Sequence, residues 1–172
     1  EHDRRLSTLC RRLGQLSQET IITVYLQYPP GTTLPGAMVG LEQGPGQWAF
    51  DRSLCGQPGL LAVVVSAAAS CARLDNQDLV GRVGTQLARL FPHWPAPRHA
   101  RVIREKRATF SARPGVNTLR PDCRTPVEHL WLAGDYTATG LPATLEGAVR
   151  SGVHCATALM GEPGSRQEPT HP

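Results

Sequence analysis

"LAGDYTATGLPATLEGAVRSG" (residues 132–152) joins the end of a strand-like run to a run of small residues at helical spacing. Leu130-Trp131-Leu132-Ala133 reads as a strand that stops at Gly134-Asp135, and a polar turn then leads to Pro142 and a run of small residues. The pattern predicts a strand over 129–133 and a helix over roughly 142–160. Pro142 suits the first helical position, where a missing N–H costs nothing. From Ala143 onward the first backbone N–H groups would point out of the helix without partners. They would be joined there by a dipole equivalent to about half a positive charge. Such an end takes a phosphate or another anionic group.

Asp135, at the close of the strand, is placed to accept hydrogen bonds from hydroxyls such as those of a ribityl or ribose chain. Gly140, Gly147 and Gly152 with Ala143, Ala148 and Ala156 leave room for a ligand or a neighbouring helix to approach the backbone. Glu146 and Arg150, four apart, are spaced to pair on the helix surface. An ordinary capped helix packed on a sheet would account for the same residues, with Asp135 as a turn residue.

Upstream, Leu6, Leu9, Leu13 and Leu16 recur at helical spacing over 4–17. Short strands are expected at 21–28, 37–41, 47–51 and 60–67, joined by turn formers such as Glu42-Gln43-Gly44-Pro45-Gly46, as a four-stranded antiparallel meander. Asp75 or Asn76 caps a helix running to about Phe91, with Leu79, Val83, Leu87 and Leu90 on one face, and His99 to Phe110 is a long strand. Residues 162–172 read as a disordered tail. The division expected is 1–110, 111–161 and the tail.

A chain of 172 residues with 40% hydrophobic and 19% charged content is long enough for a real core and falls in the globular class. No apolar run approaches the ~20 residues a spanning helix needs. The formal charge is +4, yet Phe, Trp and Tyr number only three each and no nucleic-acid module accompanies the arginines. Nucleic acid is therefore not an expected partner, and anionic lipid headgroups fit the charge as well. Cys10, Cys55, Cys71, Cys123 and Cys155 show no C-x-x-C or zinc-finger spacing. His154 and Cys155 are adjacent on a helix and point about 100° apart, so they make a poor chelate and no metal is expected.

Gly134-Asp135-Tyr136-Thr137 and Thr139 through Gly152 resemble the C-terminal flavin-binding signature of the FAD-dependent amine oxidase and phytoene desaturase superfamily. The wording of 139–152 is most similar to its squalene-associated desaturase-like branch, the bacterial hydroxysqualene dehydroxylases. "VYLQY" (24–28), "QWAFDR" (47–52) and "REKRATF" (104–110) resemble that branch in the same order.

The resemblance implies an α+β substrate-domain half at 1–110, with an antiparallel or mixed sheet and helices. The C-terminal strand and helix of an α/β FAD-binding domain follow at 111–161. It implies FAD as cofactor, with contacts from Gly134, Asp135, Tyr136, Leu141, Pro142, Ala143 and Thr144. Trp48 and Phe50 become candidates to line an apolar cavity for a lipophilic isoprenoid, and equally candidates for core. The family's Gly-rich dinucleotide fingerprint opens a βαβ unit. Here Gly44-Pro45-Gly46-Gln47-Trp48-Ala49 is the nearest match, but it contains a proline and precedes a strand, so it reads as a turn. The expectation is a C-terminal fragment whose missing N-terminal FAD-binding half is its partner.

The activity implied is FAD-dependent reduction of hydroxysqualene on the route to hopanoids, in the cytoplasm or on the inner face of its membrane. The open alternatives are a carotenoid desaturase or amine oxidase, and a non-catalytic remnant or subunit. No catalytic residue is assigned, since Glu42, Asp51 and His99 cannot be ranked from spacing.

Overall fold

The computed structural model describes residues 4–66, 71 and 73–161. The expected tail at 162–172, the first three residues and the Ala67 end of the fourth strand lie outside the described residues. The chain forms two compact units, Gln18–Thr109 and Glu1–Ser17 together with Phe110–Pro172. The first helix, placed with the sheet in the expected 1–110 division, groups here with the C-terminal segment.

The Gln18–Thr109 unit is a five-stranded sheet in the order β2-β3-β4-β1-β5. Its strands are β1 (Gln18–Gln27), β2 (Met38–Gly40), β3 (Trp48–Asp51), β4 (Leu60–Val65) and β5 (His99–Phe110). β2, β3 and β4 form the antiparallel meander. β1 does not continue it as its fourth strand; it pairs antiparallel with β4, from Ile22↔Val65 to Gln27↔Leu60. Burial explains the difference. Ile22, Val24 and Leu26 on β1 are fully buried, which favours a central position flanked on both sides, whereas the three-residue β2 is short enough to serve as an edge. β5 runs antiparallel along β1, with Arg98 N–H on Gln27 O and Thr20 Oγ1 on Lys106 O.

Helix α2 (Asn76–Leu90) begins at the Asp75 cap, whose carboxylate accepts the Asp78 N–H at 2.7 Å. Its Leu79, Val83 and Leu87 are fully buried against Ile22, Val24, Leu26, Leu61 and Val63, while Leu90 is exposed. Gln86 is buried on the same helix and reaches the β2–β3 turn. It accepts from Gly46 N–H at 2.9 Å and donates to the carbonyls of Glu42 and Gly46. A Cβ at Gly44 would stand 2.3 Å from the Gln86 amide, so that turn's glycines serve helix contact and not a phosphate.

In the second unit, α1 (Arg4–Leu13) has no buried residue of its own, and Leu16 beyond it is buried. Arg12 anchors the segment by donating to the carbonyls of Leu119 and Arg120 at 3.1 and 2.8 Å. The final helix, α3, spans Leu145–Met160. Among the described residues no helix is long and apolar enough to cross a membrane.

Candidate functional site

The 130–144 segment departs from its expected form at both ends. Residues 129–133 do not form a strand: their one ladder contact is an isolated bridge between Arg124 and Trp131, joined by Leu132 N–H on Cys123 O at 2.8 Å. His129 holds a left-handed backbone, φ 61°, which interrupts the extended conformation just where the strand would begin. Pro142 is not the first helical residue either. Thr144 is the N-cap, its hydroxyl accepting the Gly147 N–H at 3.1 Å, so the helix starts at Leu145. A hydroxyl cap satisfies one of the helix's early donors, and a proline three residues upstream cannot. The backbone donors at the helix tip are therefore those of Leu145 and Glu146.

The organising residue of this segment is Arg120, which no local pattern marks because its partners lie 15 and 21 residues downstream. Its side chain is buried. One guanidinium nitrogen donates to Leu141 O at 2.7 Å and Asn117 Oδ1 at 3.2 Å. The other donates to Asp135 O and Thr139 Oγ1, both at 2.9 Å. The Phe110 ring lies 5.1 Å from the guanidinium carbon. One planar fork thus binds both ends of the 135–141 turn, a task for which lysine lacks the geometry.

Ser151, buried on α3, closes the other side. Its hydroxyl accepts the Gly134 N–H at 3.0 Å and lies 2.6 Å from the Thr137 hydroxyl, which in turn bonds Gly134 O. Gly134 sits at φ 148°, and a Cβ there would fall 2.6 Å from the Tyr136 ring. Burial, and then the neighbouring Asp135 carboxylate, push the Tyr136 phenol pKa up.

With its carbonyl bound to Arg120, Asp135 keeps a half-buried carboxylate that accepts no hydrogen bond among the described residues. Gly134, Asp135 and Tyr136 form one side of the turn; Leu141, Pro142, Ala143 and Thr144 lead from it to the tip of α3. Gly140, φ 74°, has open space where a side chain would lie. The segment thus offers an acceptor for hydroxyls, an unobstructed glycine and a donor-rich helix tip of the kind that takes an anionic group. The Glu146–Arg150 pair is made at 2.6 Å on the surface.

Trp48 and Phe50 belong to the other unit. On β3 the side chains of Ala49 and Asp51 are buried, while Trp48 is exposed and Phe50 half-buried on the opposite face. Register places Met38, Phe50, Ala62 and Tyr25 in one row across the sheet, and Trp48, Val64 and Thr23 in the next. The result is an apolar outer sheet face. Asp51 is structural: Oδ2 accepts from Leu34 N–H at 2.9 Å and Oδ1 from Ser53 N–H at 2.8 Å.

These elements define a class before they define an activity. The profile of the family described as flavin containing amine oxidoreductase matches residues 11–160, and the chain belongs to that family. It is 33% identical over 146 residues to a hydroxysqualene dehydroxylase of Rhodopseudomonas palustris, covering 81% of this chain and 32% of that protein. A hydroxysqualene dehydroxylase of Zymomonas mobilis is 33% identical over 78% of this chain and 31% of its own length. A 15-cis-phytoene desaturase of Glycine max is 32% identical over 59% of this chain and 19% of that protein. The chain thus spans about a third of the length of the hydroxysqualene dehydroxylases it matches. Among solved structures, a putative protoporphyrinogen oxidase from Exiguobacterium sp. 255-15 shares the fold with a TM-score of 0.67. At 13% identity, that likeness covers 88% of this chain and 37% of that one.

Proposed function

We propose that the chain is the C-terminal part of an FAD-dependent oxidoreductase that reduces hydroxysqualene to squalene, a step of hopanoid formation. The observation that carries this reading is the turn fixed by Arg120 and Ser151, which presents the Asp135 carboxylate and leads to the tip of α3. Asp135 accepts hydroxyls of the cofactor's ribityl side, and the backbone from Leu141 to Thr144 approaches the flavin ring. Donors at a helix tip favour negative charge on a reduced ring. Bound and reduced, the cofactor supplies a hydride.

The polypeptide holding the Gly-rich fingerprint is the partner that completes the cofactor site. In support, the matched relatives are about three times as long as the aligned segment. The apolar sheet face with Trp48, Phe50, Met38 and Tyr25 serves as one wall for the isoprenoid chain. A lipophilic substrate and the positive net charge favour peripheral contact with the cytoplasmic face of the membrane. A second reading, desaturation of a carotenoid precursor, is supported by the similarity to phytoene desaturases.

The test is turnover by the chain joined to its upstream coding region, supplied with FAD, a reductant and hydroxysqualene. Squalene as product supports the first reading. Desaturation of phytoene in the presence of an electron acceptor, with hydroxysqualene untouched, supports the second.

A further inference from the structure

Asp122, Cys123 and His154 bring a carboxylate oxygen, a thiol sulfur and an imidazole nitrogen within 4.8 Å of one another. The same three residues line a cleft of about 250 Å³, together with Thr137, Ser151 and Arg150. From these observations we infer that this cleft is a binding site for zinc or a metal of similar softness. Sequence spacing hides it, because Cys123 lies in a loop and His154 on α3. The adjacent His154-Cys155 pair, which spacing singles out and dismisses, is not the chelate.

One thiolate, one imidazole and one carboxylate form a borderline-soft donor set that suits zinc, with a fourth position left for water. Zinc holds sulfur at about 2.3 Å and nitrogen at about 2.0–2.1 Å, so its donors stand roughly 3.5 Å apart. Closing from the observed separation takes about an ångström of movement. His154 is exposed and can supply it by side-chain rotation. Cys123 is buried and Asp122 is already fixed by the Cys123 N–H on its Oδ1 at 2.6 Å, so two of the three donors are positioned before a metal arrives. Arg150, on the cleft wall, has its charge engaged by Glu146 at 2.6 Å. The metal would clip the 121–123 loop to α3 and so stiffen the segment that carries the Gly134 turn.

The test is a cobalt titration of the reduced 172-residue chain followed by absorption, with zinc competition and thermal unfolding in parallel. Expected are one cobalt per chain with a thiolate-to-metal charge-transfer band, displacement by zinc, and a rise in Tm with zinc. The band should vanish in Cys123→Ser and persist in Cys155→Ser. Because His154 is exposed, His154→Gln should fold normally, bind zinc at least about ten-fold more weakly and lose the zinc-dependent rise in Tm. A band that survives Cys123→Ser, or zinc affinity unchanged in His154→Gln, overturns the assignment. So does the absence of any band in the unaltered chain.

Discussion

The guanidinium of Arg120 donates to the carbonyl oxygens of both Asp135 and Leu141, at 2.9 and 2.7 Å, so one buried cation spans the turn that leads into α3. Among the described residues no carboxylate pairs with it, and its Nε finds no acceptor. Arg120 is therefore held by backbone and hydroxyl dipoles, and its burial is tolerable only while that turn keeps its shape.

Replacing Arg120 tests this dependence. Arg120→Met leaves two half-buried carbonyls, of Asp135 and Leu141, without their donors and should cost about 2 kcal/mol or more. Arg120→Lys keeps the charge but not the fork and should recover only part of that loss. Urea unfolding of both variants measures the difference. Equal stability of Arg120→Met and the unaltered chain would refute the role.

Ser151→Ala removes the acceptor for Gly134 N–H and the partner of the Thr137 hydroxyl. The expected loss is about 1–2 kcal/mol. Gly134→Ala should be worse, because the new methyl group meets the Tyr136 ring at 2.6 Å in a backbone conformation that suits glycine. Combining it with Tyr136→Ala should relieve the clash and leave the backbone strain, so stability returns in part. Thermal unfolding of the two single variants and the double variant separates the contributions.

In the sheet unit the Asp51 carboxyl couples stability to acid pH. Burial alone would raise its pKa, but the hydrogen bonds from Ser53 and Leu34 outweigh that and hold it below the ordinary carboxylate value. A folded-state pKa below the unfolded one stabilises above the unfolded value and is lost as pH falls through the folded one. Asp51→Asn should therefore lower Tm at pH 7 and flatten its decline below about pH 4. Parallel acid titrations of the variant and the unaltered chain, followed by circular dichroism, would show curves of the same shape if Asp51 contributed nothing.

Gln86 makes a comparable case inside the core. Gln86→Leu deprives Gly46 N–H and the carbonyls of Glu42 and Gly46 of their partners, and should cost about 2–4 kcal/mol despite the gain in apolar character. Chemical denaturation measures it, and a neutral result would mean the β2–β3 turn finds other partners.

Much of this architecture is legible from periodicity. The β-branched and aromatic run in β1, the continuous apolar run in β4, the Leu79-Val83-Leu87 stripe and the Asp75 cap are local patterns, and the folded elements follow them. What local pattern does not encode is pairing across distance. β1 joins β4 past two intervening strands, Arg120 reaches carbonyls far downstream, and His154 faces a loop cysteine. The expected strand at 129–133 shows the complementary error. Trp131 and Leu132 favour extension, yet the left-handed His129 interrupts the run and only the Cys123–Arg124 segment lies alongside. At the helix start, proline outranked the cap in the sequence reading, while in the structure the Thr144 hydroxyl sets the boundary.

The most direct measurement is a titration of FAD, followed by its fluorescence, against this chain and against the chain joined to its upstream coding region. Saturable binding is expected in the longer polypeptide, little or none in the chain alone, and affinity at least about ten-fold weaker when Asp135→Ala is introduced into the longer form. Failure of both polypeptides to bind, or binding indifferent to Asp135→Ala, would contradict the assignment of the 134–144 turn to the cofactor.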